Sequence, residues 1–256
     1  MGLDGSGRPF DAIRRELKAS SPRRDPVELD GEIRLDAERG SRTGVPEVIY
    51  AEYKSNEQII ESLCRLSGKS GRALAARCRA DTLIHAETII EDGTTMTVDK
   101  VARAVIASYH GAEPVKTGGK VGIVAAGTSD VPVAREATIM MAEMGCEVVA
   151  VNDVGVAGLH RLVVPLETMI EAGVSVVVVV AGMDGALPSV VAGLVSLPVI
   201  GLPTSVGYGF GGGGEAALGA MLQTCVPGLV VVNIDNGIGA GATAALIANA
   251  VAAASH

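Results

Sequence analysis

The sequence contains no tryptophan, four tyrosines and two phenylalanines among its 256 residues. Modules that read single-stranded nucleic acid stack bases on aromatic rings, so this scarcity argues against nucleic acid as a partner. It also leaves Val, Ala, Leu and Ile to build the core, with small residues permitting close backbone approach. Basic side chains are nearly missing from the second half: residues 118–256 hold Lys120, Arg135 and Arg161 against ten acids. A phosphate bound there must rely on backbone amides, helix amino termini or a divalent cation. The cysteines Cys64, Cys78, Cys146 and Cys225 form no C-x-x-C pair, and no secretory pattern opens the chain. Reduced thiols and a cytoplasmic setting are therefore expected rather than a disulfide framework. No stretch reads as a membrane span, since the apolar run over 174–181 is too short. The dinucleotide fingerprint G-x-G-x-x-G is absent as well.

What is present is organised around residues 174–215. A β-branched run over 174–180 ends in Gly182-Met183-Asp184-Gly185. A second apolar run, 197–202, empties into Pro203-Thr204-Ser205-Val206-Gly207-Tyr208-Gly209 and then four consecutive glycines, 211–214. Unbroken apolar runs fit strands buried on both faces of a parallel sheet. In open α/β sheets the ligand crevice lies beyond the carboxyl ends of such strands, which is where the active site is expected.

Along the chain, residues 1–46 form a charged amino-terminal segment with a short helix expected over 11–19. The run 41–47 reads as a surface turn or as a substrate- or subunit-contacting loop. Residues 47–113 alternate as a small α/β domain: a strand over 47–51, a helix capped by Ser55, a strand over 71–78, a helix over 81–87 and a mixed segment over 98–107. A linker over 114–119 leads to a regular domain, 118–256. Its strands are expected at 121–125, 147–151, 174–180, 197–202 and 229–234, each followed by a helix. Five strands alternating with helices make a flavodoxin-like doubly wound parallel sheet.

The candidate chemistry gathers at the strand ends. Gly127-Thr128-Ser129-Asp130 reads either as a helix cap or as an anion site built from free amides and hydroxyls. Asp153, His160 and Arg161 follow the second strand of this domain, and the two cations suit either a surface ion pair or recognition of a phosphate or carboxylate. Asp184 can cap the next helix or serve as a general acid or base. Asn233, Asp235 and Asn236 at the last strand fit turn chemistry or substrate contact. Cys225, expected to end a helix begun at Glu215, is either a small buried hydrophobe or a nucleophile activated from outside the helix dipole.

The segments GTSDVPVAREA, NDVGVAGLHRL, AGMDGALPSVVAGLVSLPVIGLPTSVGYG and TCVPGLVVVNIDNGIGAGATA, with RLDAERGSRTGVPEVIYAEYKSNEQI upstream, resemble the LarB family of nickel-pincer cofactor biosynthesis. The carboxyl-terminal half also resembles aminoimidazole ribonucleotide carboxylase. The resemblance implies a pyridinium-3,5-biscarboxylic acid mononucleotide synthase: carboxylation of nicotinic acid adenine dinucleotide with carbon dioxide or bicarbonate, and hydrolysis of its phosphoanhydride to release AMP. It implies Cys225 as the nucleophile and Asp184 as the base, where the family pattern has glutamate. Gly127 to Asp130, Asp153, His160, Arg161, Gly182, Met183, Thr204, Ser205, Tyr208 and Gly209 are expected to hold substrate, with Asn233, Asp235 and Asn236 beside them. Magnesium and a homo-oligomer, an octamer, are implied too, with no ligand set for the metal. The rival readings are an aminoimidazole ribonucleotide carboxylase or mutase and a catalytically silent nucleotide-binding protein. Against the first, His160-Arg161 stands here in Gly-Leu-His-Arg rather than Ser-Ala-His-Arg.

Overall fold

A computed structural model describes residues 27–29 and 33–255. The helix expected over 11–19 lies outside them. Strands β1 (Val27–Leu29) and β2 (Ile33–Leu35) form an antiparallel pair, followed by the short helix α1 (Arg39–Thr43). In the run 41–47, residues 41–43 complete this helix, Gly44 caps it, and the rest leads towards the next strand; Arg39 pairs with Glu47 at 3.1 Å and Arg42 pairs with Asp36.

The amino-terminal domain contains β3 (Val48–Tyr50), α2 (Asn56–Ser70), β4 (Arg72–Ala76), α3 (Ala80–Thr88), β5 (Thr94–Asp99) and β6 (Ala104–Tyr109). Its four-stranded sheet runs in the order β3-β4-β6-β5, with β3 parallel to β4 and the other pairs antiparallel. Ser55 caps α2 through a complete capping box with Gln58, worth about 1 kcal/mol. The mixed segment over 98–107 is the turn of a hairpin. Its alternation is masked because β5 is only half-buried along its length.

The carboxyl-terminal domain runs β7 (Lys120–Ala125), α4 (Val131–Glu143), β8 (Glu147–Val151), α5 (His160–Ala172), β9 (Val176–Ala181), α6 (Leu187–Ala192), β10 (Val199–Pro203), α7 (Glu215–Leu222), β11 (Leu229–Val231) and α8 (Gly237–Ala254). The strands are ordered β11-β10-β9-β7-β8 and every pair is parallel. This is the flavodoxin-like order, with its switch point between β7 and β9. All six residues of β9 are buried, which explains its unbroken apolar run.

Helices α4 and α8 lie between the two sheets. One core joins β7, β9 and β10 to these helices and to Leu74, Ala102 and Ala104 of the four-stranded sheet. The outer face of the four-stranded sheet is covered by α2 and α3, and the outer face of the parallel sheet by α5, α6 and α7. Helix α8 is by length and composition apolar enough to cross a membrane, a test that a buried core helix passes equally. Here its Ala240, Gly241, Ala244, Ala245 and Ala248 stripe is buried against α4 and the sheet. A side chain at Gly241 would strike the carbonyl of Ala137 at 2.6 Å, so glycine lets the two helices meet.

Candidate active site

The carboxyl edge of the parallel sheet is stitched by side chains and amides from four strand ends. After β7, a 3-10 turn over Thr128–Asp130 precedes α4, with Pro132 in its first turn. The buried carboxylate of Asp130 accepts the Gly127 amide at 2.9 Å and the Thr204 hydroxyl at 2.6 Å. Both of its oxygens are engaged, and Thr204 is fully buried. These two residues therefore position the loops after β7 and β10, while Thr128 and Ser129 stay exposed at the surface.

The loop after β9 locks onto the loop after β10. The Met183 amide donates to the Val206 carbonyl at 2.7 Å. Gly182 lies so close to Val206 and Thr204 that a side chain there would overlap the Val206 carbonyl oxygen. Gly185 packs on the backbone of Ala217 in α7. Between these fixed points Asp184 projects into solvent, and among the described residues only the Ala186 amide donates to its carboxylate, at 3.4 Å. The loop after β11 joins in through Asp235, whose carboxylate accepts the Ser205 amide at 2.8 Å. Asn236 caps α8 through the Gly239 amide at 2.9 Å, and Asn233 bonds the Ile234 amide. Tyr208 and Gly209 are exposed beside this rim. At its far end His160 and Arg161 begin α5, and Arg161 is spent on Asp153, donating to its carbonyl at 2.6 Å.

Cys225 is elsewhere. Helix α7 ends at Leu222, so the cysteine lies beyond it, in the turn that enters β11. That turn sits at the amino edge: the Val199 amide that starts β10 donates to Gly228. With β9 six residues long, the two edges stand roughly 15–20 Å apart. One chain therefore does not bring Cys225 and Asp184 together. Cys225 is nevertheless the exposed thiol of the four. Burial pushes Cys78 up to about 11 and raises Cys64 and Cys146 as well, which holds those thiols neutral.

A second group of residues, unmarked by any motif, faces the same carboxyl edge from the amino-terminal domain. A cavity of about 350 Å³ is lined by Arg77, Arg103 and Glu52 on one side and by Ser129, Glu136, Ser205 and Asp235 on the other. Arg77 donates to the Asp235 carbonyl at 2.5 Å and to the Tyr50 hydroxyl at 3.2 Å, and its Nε lies 3.8 Å from Glu136. Glu136 is 6% exposed, and among the described residues its Oε1, the oxygen that faces Arg77 Nε, accepts no hydrogen bond. Burial raises its carboxyl to about 7 against the opposing pull of Arg77. The sequence signal for this group was indirect: the scarcity of cations in 118–256.

Comparison with known proteins accounts for both halves. Residues 28–109 match the LarB/PurE-like N-terminal domain, and residues 120–256, more than half the chain, match AIR carboxylase. The chain belongs to the LarB family. Its carboxyl-terminal domain is of a carboxylase family, and the flavodoxin-like order of the sheet agrees with the sequence reading. The uncharacterized protein MJ0165 of Methanocaldococcus jannaschii is 45% identical over 241 residues, 93% of this chain and 91% of that one. A solved ABC transporter solute-binding protein from Bradyrhizobium sp. BTAi1, with bound Bis-Tris, overlaps 57% of this chain and 60% of its own. At 14% identity and a TM-score of 0.28 that likeness bears on nothing further.

Proposed function

We propose that this LarB-family protein carboxylates the pyridinium ring of nicotinic acid adenine dinucleotide and hydrolyses its phosphoanhydride. The products are pyridinium-3,5-biscarboxylic acid mononucleotide and AMP. The observation that carries the reading is the free, exposed thiol of Cys225 on a chain that matches both LarB-type domains.

The Cys225 thiolate adds to the ring carbon para to nitrogen, and the electron pair of the broken π bond moves towards the cationic nitrogen. The neutral dihydropyridine is an enamine, and its unsubstituted meta carbon forms a bond to carbon dioxide. Asp184 takes the proton from that carbon, the freed electron pair restores the dihydropyridine, and the C–S bond then breaks, releasing the thiolate as the ring becomes an aromatic pyridinium again. Covalent addition thereby divides carboxylation of an electron-poor ring into feasible steps. The permanent charge of the ring supplies the electrophile, which compensates for a cysteine placed after a helix carboxyl terminus. Hydrolysis is separate: water adds to one phosphorus, the bridging P–O bond breaks, and AMP departs. Among the described residues no three His, Cys, Asp or Glu side chains stand together as a metal cage; the magnesium that the resemblance implies would be held by the phosphates of the substrate with one or two carboxylates, and would neutralise phosphate charge there.

Because Cys225 and Asp184 occupy opposite edges of the sheet, a ring touched by both lies between copies. The thiol comes from one copy and the carboxylate from another, within the homo-oligomer that the family resemblance implies. Large apolar side chains exposed close to each residue in the chain are consistent with such a contact: Leu222 three positions before the thiol and Met183 immediately before the carboxylate.

The test is intact-mass and product analysis of the full chain with nicotinic acid adenine dinucleotide, bicarbonate and magnesium, with Cys225→Ala in parallel. AMP and the dicarboxylated mononucleotide should form, with both lost in the variant. Conversion of aminoimidazole ribonucleotide instead, undisturbed by Cys225→Ala, would move the protein to the rival carboxylase reading. Absence of turnover even after Asp184→Glu would end the synthase reading.

A further inference from the structure

We propose that Arg77 and Arg103 of the amino-terminal domain form a phosphate-binding subsite at the carboxyl edge of the parallel sheet. Its ligand is a phosphate group of the nucleotide substrate, so the inference rests on the function proposed above.

The charge inventory leads to it. The three cations of the carboxyl-terminal domain are already committed. Lys120 donates to the Ala172 carbonyl at 3.0 Å on the amino edge, Arg135 pairs with Asp99 at 2.8 Å, and Arg161 holds Asp153. A phosphate at the carboxyl edge must find its counter-charge outside that domain, and the 350 Å³ cavity is where the other domain supplies it.

The two arginines are built into place. Arg77 follows β4 and Arg103 precedes β6, and both have left-handed backbone, φ +56° and +53°. A non-glycine residue held there costs on the order of 1 kcal/mol, and such positions cluster at functional sites. The pair is cross-braced: the Cys78 amide donates to the Arg103 carbonyl at 2.7 Å, and Arg103 Nε donates to the Cys78 carbonyl at 3.0 Å. Arg77 is oriented by Tyr50 and by the Asp235 carbonyl. Arg103 is exposed, and among the described residues its terminal amines have no acceptor, so the fork is free for a bidentate phosphate contact.

The acids of the cavity leave room for an anion. Asp235 is bonded to the Ser205 amide, and Glu52 accepts from the Tyr50 hydroxyl. Glu136 lines the space from a nearly fully buried position, and its Oε1 lies 3.8 Å from Arg77 Nε without accepting a hydrogen bond among the described residues. An arriving phosphate favours the protonated form of this carboxyl, which then donates to a phosphate oxygen. The ligand thus meets two guanidinium groups and an O–H, with the Ser129 hydroxyl at the rim.

The experiment is calorimetric titration of the full-length protein with AMP and, separately, with inorganic phosphate, for wild type, Arg103→Ala, Arg103→Gly and, as a surface-charge control, Arg65→Ala, whose partner is the exposed Glu61. Glycine accepts the left-handed backbone, so a loss shared by both Arg103 variants is not a folding defect. AMP affinity should fall roughly 10- to 100-fold in both, the range of a lost charged hydrogen bond, and be unchanged in Arg65→Ala. Tighter binding of AMP than of inorganic phosphate, with both dependent on Arg103, supports a nucleotide phosphate. Wild-type protein that binds neither probe, or Arg103 variants that bind like wild type, overturns the subsite. If AMP binding depends on Arg103 but no carboxylated product forms, the subsite stands and the substrate reading fails. If Arg103→Gly turns over at wild-type KM, the subsite fails and the function stands.

Discussion

At the carboxyl edge of the parallel sheet, Asp153, Met183 and Asp235 take left-handed backbone without being glycine. At the amino edge the left-handed positions are Gly118, Gly145, Gly173 and Gly228. Both edges reverse the chain between strand and helix. On the amino edge the sequence places a glycine at each such position, which takes the conformation without a Cβ clash. On the carboxyl edge it accepts strain at three positions and pins the loops with Asp130, Thr204, Asp235 and the Met183 amide. Strain kept in place by surrounding contacts is what a site that must present side chains looks like. Cys225 breaks the division, as the one reactive group of the proposed chemistry that sits on the turn-making edge.

The sharpest way to probe that exception is complementation. Cys225→Ala and Asp184→Asn should each reduce product formation about 10⁴-fold, as expected for parts that act as a unit. Co-expressed, the two variants should regain a substantial part of wild-type activity, since some interfaces pair an intact thiol with an intact carboxylate. A mixture as inactive as either parent would place both groups in one chain and remove the shared site.

Next in size is the buried acid behind the carboxyl edge. Glu136 is raised by burial from 4.5 to about 7 in the folded protein, so the folded state holds its proton more tightly than the unfolded chain does. The associated stability is fully present below about 4.5 and is lost as pH rises through about 7, a span of ~3 kcal/mol. Urea unfolding at pH 5 and pH 8 should show this slope in wild type and a much flatter one in Glu136→Gln.

Two glycine substitutions then compare the edges directly. Gly182→Ala drives a methyl into the Val206 carbonyl and should destabilise by about 2–3 kcal/mol. Gly173→Ala meets nothing within 4 Å and bears only its φ of +74°, so about 1 kcal/mol is expected from urea midpoints. Equal losses would mean that packing does not distinguish the two edges. The smallest effect belongs to Arg161→Ala: its ion pair with Asp153 is exposed on both sides, and the melting curve should register less than about 1 kcal/mol.

Much of this was legible beforehand. The buried valines of β9, the Ser55 cap and the strand–helix alternation of residues 120–254 all leave a local mark, because burial on both faces or a cap bond acts within a few residues. Even the edge on which Cys225 falls follows from element order. In a parallel sheet, turns after strands lie on one edge and turns after helices on the other. The expected helix end at Cys225 ran three residues past the real one, at Leu222, which obscured this. Of the expected substrate contacts, Asp130, Thr204 and Gly182 are consumed in holding loops together, a role set by contacts between distant strand ends.

The sequence by itself determined which segments become strands and helices, the flavodoxin-like alternation, the family, and the shortage of cations in the second domain. Each of these is written in neighbouring residues or in composition. Only the tertiary structure decided that Arg77 and Arg103 meet Glu136 and Asp235 in one cavity, and that Asp130 spends its charge on Thr204. Those encounters join residues separated by tens to more than a hundred positions across two docked domains, and such contacts leave no periodicity in the chain to read.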